Sequence, residues 1–281
     1  MQIETIETTQ LGRAEAVLAR GFPNRPPGFW RRALSTLDDY RRRHQSQPIG
    51  TLLVHEGKDV GVLLSIESRT AGGGRKVNLS SWYVDAEARF FAPLMLRAAL
   101  ARAPVATDLS PTGEVRAVNE RLGMGGRVLG SMIVPLPIDA LRPSQGKVRE
   151  GTAGASGADD VLLADHAAMG LVTATLGEAT GTVHPLIFMP TTLRGVPGAR
   201  LIYCRSLSTV GRERGAIARF LLARGYLFLE IEANRADTWP GAIHAPSRCV
   251  VFAKGDLPID SIDHSYTELP FIHCTSRSQT S

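Results

Sequence analysis

Two carboxylates, Glu67 and Asp108, close short β-rich segments, positions from which a carboxylate can take a proton from an attacking amine. Neither has a partner at a readable spacing. His166, His184, His244 and His264 are scattered through the second half without a neighbouring acid or nucleophile, so they read as structural histidines. Asp263-His264-Ser265 contains three triad residue types, but triads are assembled by the fold from separate elements rather than from sequence neighbours. Glu230, Glu232 and Arg235 mark one strand edge and are placed to line an acceptor cleft between the two halves. No G-x-S-x-G, P-loop or H-E-x-x-H pattern occurs. Cys204, Cys249 and Cys274 are too far apart, and too far from any histidine group, to read as a disulfide framework or a metal site. The stretch Asn78 to Arg102 offers different chemistry. It runs from a strand through a turn into a helix, whose free N–H groups and positive dipole end suit phosphate oxygens.

The elements that must position this stretch are legible. Lys76 to Val84 carries Val77, Trp82, Tyr83 and Val84, follows Gly72-Gly73-Gly74, and reads as a strand. Phe91, Leu94, Met95 and Ala98 repeat at helical spacing, with Pro93 in the first turn, where a missing N–H costs little. At Tyr83-Val84 and the following Arg89-Phe90-Phe91-Ala92-Pro93-Leu94 the sequence resembles the GNAT superfamily of acyl-CoA N-acyltransferases. The family's fourth strand ends in a hydrophobic-Val pair before an Arg/Gln-x-x-Gly-x-Gly/Ala loop. Arg89 fits the pattern, whereas Ala92 and Leu94 stand at its small-residue positions and Pro93 removes a donor. Asn119-Glu120-Arg121-Leu122-Gly123-Met124 is similar to the family's Tyr-Glu-Lys-Leu-Gly-Phe segment, with Asn119 where a Tyr often protonates the leaving thiolate. An amide cannot do so. The resemblance implies acyl-CoA or acetyl-CoA as cosubstrate, held by Trp82, Tyr83, Val84, Arg89, Phe90, Phe91 and Ala92, with no metal.

Upstream, residues 10–20 and 30–44 show amphipathic helical spacing, and Gly50 to His55 with Val60 to Arg69 forms a hairpin. Arg31, Arg32, Arg41, Arg42 and Arg43 give the second helix a basic side that reads as a solvated face. Val105 to Leu109, a helix over Thr112 to Leu122 and a closing strand Val128 to Pro135 complete a first domain, residues 1–142. This element order is also the one the resemblance implies. The Gly/Ser/Pro-rich 143–158 reads as a flexible linker. A second domain, 159–273, is expected to hold a helix from Asp159 to Leu176 and strands His184 to Met189 and Ala199 to Cys204. A helix Ala216 to Arg224 and strands Tyr226 to Ala233, Arg248 to Lys254 and Tyr266 to Phe271 follow, before a polar tail, 274–281. Shifting by 123 positions lays Arg212 over Arg89 and Gly215 over Ala92, so element order repeats without sequence identity. The expected fold is therefore α/β (α+β): two tandem GNAT-like domains, each a mixed, mostly antiparallel sheet with flanking helices.

Composition sets the remaining bounds. Over 281 residues, 43% hydrophobic and 21% charged describe a chain able to bury two cores. No apolar run is long enough to span a membrane, and no signal peptide is visible at the N-terminus, so a cytoplasmic location is expected. A net charge of +5, carried mostly by arginine, favours anionic partners. Together these features point to transfer of an acyl group from acyl-CoA to an amine or hydroxyl of a small-molecule or polymer acceptor. Two alternatives stand beside it: a non-catalytic binding or regulatory module on a degenerate scaffold, and a Fem-type aminoacyl transferase. No nucleic-acid motif accompanies the latter.

Overall fold

A computed structural model of the chain describes residues 1–70, 73–128, 130–233, 239–245, 250–255 and 261–273. They form two compact units, the first from the described residues of Met1–Arg127, Cys249–Leu257 and Tyr266–Ser281, the second from those of Val128–Arg248 and Pro258–Ser265.

The first half of the chain runs β1 (Gln2–Thr5), α1 (Leu11–Gly21), α2 (Phe29–His44), β2 (Gly50–His55), β3 (Lys58–Arg69), β4 (Arg75–Val84), α3 (Ala92–Leu100), β5 (Val105–Asp108), α4 (Gly113–Arg121) and β6 (Gly125–Val128). Then follow β7 (Gly130–Pro135), α5 (Leu136–Asp139), β8 (Lys147–Glu150), α6 (Ala158–Ala168), β9 (Val172–Gly177), β10 (Val183–Leu193) and β11 (Val196–Cys204). The remainder is α7 (Leu207–Arg212), α8 (Arg214–Leu222), β12 (Phe228–Ala233), β13 (Ile243–Ala245), β14 (Val250–Lys254) and β15 (Ile262–Asp263).

The sheet of the first unit has the order β1-β2-β3-β4-β5-β14-β6, and that of the second β13-β7-β12-β11-β10-β9-β8, with β15 also on β11. The strand pairs resolved residue by residue are antiparallel except one in each sheet, β4 with β5 and β11 with β12. These are the two β-α-β crossovers, whose helices α3 and α8 cover one face. Val77, Leu79, Met95, Leu96, Ala99 and Phe252 close the core beneath α3. On the opposite face α1 and α2 bury Val17, Leu18, Trp30, Leu34 and Leu37, the apolar stripe that their helical spacing predicts. The second core joins Phe188, Leu201, Ile217, Leu221, Leu229 and Ile231. The mixed, mostly antiparallel architecture expected from the sequence is thus present in both units.

Several boundaries differ from expectation. The expected closing strand Val128 to Pro135 is divided: Val128 ends β6 at the edge of the first sheet, whereas Gly130–Pro135, β7, pairs with β12 in the second, and β14 pairs with β5 in the first. Alternation of apolar residues fixes which face of a strand is buried but not which neighbour it takes. Residues 143–158 are no free linker. They contain β8, whose Lys147 faces Gly177, and Gly146 donates its N–H to Glu213. Their glycines serve tight turns, Gly151 and Gly154 having φ of 73° and 79°. The helix expected through Leu176 ends at Ala168, and the β-branched Val172, Thr173 and Thr175 build β9 instead. Tyr266 to Phe271 is not a strand but leads into a π-helical turn, Leu269–His273, containing Pro270. The tail 274–281 lies outside the described residues.

Candidate active site at the parted strands of the first unit

β4 and β5 pair only from Lys76 with Val105 to Leu79 with Asp108; β4 then continues from Ser80 to Val84 while β5 has ended. Beside β3 the register steps from Leu63 opposite Trp82 to Ser65 opposite Leu79. Ser80 and Ser81 therefore share one partner, a bulge that bends β4 where it leaves β5. Among the described residues no strand pairs with Ser80–Val84 on the side away from β3. A wedge-shaped gap opens there.

A buried polar cluster sits at its apex. Asn78 donates from Nδ2 to Thr107 Oγ1 at 2.9 Å and accepts at Oδ1 the backbone N–H of Glu268 at 3.2 Å. Glu268 in turn accepts the hydroxyl of Ser80 at 3.2 Å and that of Ser110. Asp108, at the end of β5, accepts Nδ2 of Asn119 at 2.8 Å. Burial pushes the Asp108 carboxyl up to about 6, against the hydrogen bonds from Asn119 and the Ser110 backbone and with the help of the charge on Glu268. Asn119 is fully buried, and its Oδ1 has no hydrogen-bond partner among the described residues. Of the two carboxylates singled out in the sequence, only Asp108 reaches this cluster. Glu67 lies across from Val77, and Arg75 holds both its oxygens at 3.0 and 3.1 Å. Glu268, Ser80 and Ser110 were invisible to motif reading, because a carboxylate so distant in sequence has no spacing to betray it.

The residues expected to hold a cofactor line β4 and the turn beyond it. Trp82 and Val84 lie on the α3 side, and the indole N–H of Trp82 is buried without a hydrogen-bond partner among the described residues. Tyr83 points the other way. Its ring lies against Gly21, where any Cβ would overlap Tyr83 Cγ at 2.3 Å, and its hydroxyl pairs with Asp85, which raises its pKa. Arg89, Phe90 and Phe91 belong to a 3-10 turn, Ala86–Phe91, and Ala92 begins α3. Arg89 is exposed and makes no side-chain hydrogen bond or ion pair among the described residues. Phe90 is 68% exposed, its ring 3.9 Å from that of Phe91. The 3-10 turn takes up N–H groups that an open loop would leave free: Ala88 donates to Asp85 and Ala92 to Arg89. A cavity of about 400 Å³ beside α1 is lined by Arg13, Arg20, Lys58, Asp59, Asp85 and Glu87. Asp59 and Glu4 hold Arg13, and Asp85 holds Arg20, so both arginines of this cavity are already committed to carboxylates.

In the second unit β11 and β12 also part, after Gly198–Arg200 pairs with Phe228–Glu230. Here the continuation of β11 is occupied. Tyr203 pairs with Asp263 and Cys204 with Ile262, and His264 donates its N–H to Ile202 at 2.9 Å. His264 lies 2.8 Å from Glu232, and Ser265 bonds to Asp263, so Asp263-His264-Ser265 forms no triad. Burial works to raise the Glu232 carboxyl, but His264 and Arg200 outweigh it and hold it below the usual range. Glu230 accepts Ser131 at 3.1 Å; Arg235 lies outside the described residues. His166 bonds to the Leu162 carbonyl at 2.8 Å within its own helix, His184 faces Glu178 at 3.6 Å, and His244 is exposed. Among the described residues no group of three His, Cys, Asp or Glu side chains could hold a metal ion, and no helix is long and apolar enough to cross a membrane.

No family model matches the sequence, and no curated protein matches it. Solved structures do. A GCN5-related N-acetyltransferase from Anabaena variabilis superposes with a TM-score of 0.63 at 10% identity, over 90% of this chain and 72% of that one. A probable N-acyltransferase of Enterococcus faecalis gives 0.57 at 11%, over 90% and 72%. Eis1 from Mycobacterium abscessus gives 0.54 at 14%, over 90% and 73%. At such identity the likeness is one of backbone architecture, and with the parted parallel strands of both units it establishes that this chain has the GNAT fold.

Proposed function

We propose that the chain transfers an acyl group from acyl-CoA or acetyl-CoA to an amine or hydroxyl acceptor, and that the transfer takes place at the parted strands of the first unit. The observation that carries this reading is the edge of β4 from Ser80 to Val84, which is unpaired among the described residues and lies beside a buried polar cluster. Edge N–H and C=O groups require partners, and the amides of a pantetheine arm are partners of the right kind. Trp82, Tyr83 and Val84 would flank the arm, and Arg89, Phe90, Phe91 and Ala92 would meet the nucleotide end, where Arg89 supplies the charge. Holding thioester and acceptor together supplies much of the rate gain, so no covalent intermediate is needed. Small molecules and polymers both remain within this acceptor class.

A second reading has its own support. Because Ala88 and Ala92 spend their N–H groups inside the 3-10 turn, fewer donors face a pyrophosphate, which favours a binding or regulatory module that no longer turns over acyl-CoA. Calorimetric titration with acetyl-CoA and a longer acyl-CoA separates the two. Saturable binding of one equivalent, followed by release of free thiol with an amine present, is expected for the enzyme. Absence of heat at millimolar ligand removes the acyl-CoA reading.

A further inference from the structure

Glu268 reaches the first unit from far along the sequence, yet it is anchored there like a core residue. Tyr266 and Phe271, on either side of it, pack on Tyr40 of α2 with ring centroids 4.9 and 5.2 Å apart, and Thr267, Phe271 and Ile272 are almost fully buried. Asn78 fixes its backbone, and Ser80 and Ser110 fix its carboxylate. Ser80 is the first residue of β4 beyond the pairing with β5, so this carboxylate sits where the wedge opens. Resting on the acyl-transfer reading above, we infer that Glu268 is the catalytic base of the first unit, carried into the site by the C-terminal segment.

The neighbours of Glu268 support that role over a purely structural pin. A pin needs only its hydrogen bonds, whereas here a second carboxylate, Asp108, is held in the same cluster, and Asn119 leaves a buried Oδ1 unpartnered beside it. Unsatisfied buried acceptors are costly, and a polar ligand with N–H groups would satisfy this one. Burial and the nearby Glu268 push the Asp108 carboxyl up to about 6, and the Glu268 carboxylate accepts two hydroxyls, those of Ser80 and Ser110. In the reaction a neutral amine attacks the thioester carbonyl, the N–C bond forms and the C–S bond breaks. The proton lost by nitrogen passes to the Glu268 carboxylate and from there to solvent. The CoA thiolate leaves with the electron pair and takes its proton from water.

The test uses the full chain, acetyl-CoA, and either water or concentrated ethylamine as acceptor, with free thiol followed by absorbance and acetyl-CoA affinity by calorimetry. Glu268→Gln keeps the shape and can still accept one of the two hydroxyls at Oε1, while the other serine turns to accept from Nε2. It is expected to leave the acetyl-CoA Kd within about twofold while lowering kcat by about a hundredfold or more, the usual contribution of a general base. Glu268→Asp should recover part of that loss. Circular dichroism and thermal unfolding establish that both variants fold. If Glu268→Gln turns over at the wild-type rate, or if wild-type protein binds acetyl-CoA without releasing thiol to either acceptor, the base assignment is overturned while the cofactor reading stands. If wild-type protein does not bind acetyl-CoA, both fall.

Discussion

In the first unit β4 outruns β5 and among the described residues no strand pairs with Ser80–Val84 on that side; in the second, β11 and β12 diverge after Arg200 and Glu230, β12 staying on β7, and β15 pairs with the end of β11. The two crossovers are otherwise alike, Lys76 facing Val105 in one and Ala199 facing Leu229 in the other. In the first unit the parallel pair ends because β5 stops at Asp108, and in the second because β11 and β12 both run on but separate. What makes such a gap a site is whether the chain satisfies the exposed edge by itself. Ile262 and Asp263 pair with Cys204 and Tyr203 and close the second gap, and beside the join Glu232 meets His264 at 2.8 Å and Arg200 at 3.6 Å. The segment that follows immediately contributes side chains, not a strand, to the first gap: Glu268 touches β4 through Asn78 and Ser80, and among the described residues the edge beyond stays unpaired. One short stretch of chain thus seals one gap and furnishes the other.

The largest effect expected from breaking this arrangement is on stability. Phe271 is fully buried against Tyr40, and Phe271→Ala should cost about 3–5 kcal/mol, read from urea unfolding. A loss below about 1 kcal/mol would mean that the first unit is complete without its C-terminal segment, and the comparison would lose its basis.

The buried acids sharpen it next, because they are shifted in opposite directions. The folded Asp108 carboxyl binds its proton more tightly than the unfolded one, about 6 against 3.8. Its stabilising contribution is therefore full below pH 3.8 and is lost as pH rises through 6. Asp108→Asn should flatten that decline, worth about 3 kcal/mol at most. Glu232 is shifted down, so its contribution is present above its unfolded value and is lost on acidification. Glu232→Gln should then destabilise the protein at pH 7 and progressively less as pH falls. Denaturation midpoints of both variants at pH 4, 5.5 and 7 check the pair. Slopes of the same sign would show that the two clusters are not the electrostatic opposites described.

Much of the fold was legible in the sequence, and the physics says which part. The helical stripe of α2, the hairpin of β2 and β3 and both crossovers rest on local periodicity, which a sequence records directly. The exchange of β7 and β14 between sheets does not, since nothing in Val128 to Pro135 names its neighbour. Thr173 and Thr175 were absorbed into a helix although their β-branched chains fit a strand better. At the site, Asp108 and β4 could be found because they belong to a contiguous motif. Glu268 could not, since its role depends on Tyr266 and Phe271 docking on α2, a contact made only in three dimensions. The apparent equality of Arg89 and Arg212 in the repeat was likewise a matter of spacing, blind to what each guanidinium touches.

That last contrast gives the smallest effect and the most direct test of where a cofactor binds. Arg212 is committed, its guanidinium meeting Glu178 and, at 3.4 Å, Glu213. Arg89 is exposed without such a partner among the described residues, so it can turn to a phosphate without first breaking an ion pair. A charge-assisted hydrogen bond to phosphate contributes about 1.5 kcal/mol or more, roughly tenfold in affinity. Arg89→Ala should therefore raise the acyl-CoA Kd about tenfold, and Arg212→Ala should leave it within about twofold. Calorimetry gives both constants, and circular dichroism verifies that each variant is folded. Equal losses, or a loss at Arg212 alone, would move the cofactor to the second unit. There it would have to displace β15 from Tyr203 and Cys204, and the closed gap would become a lid on a site.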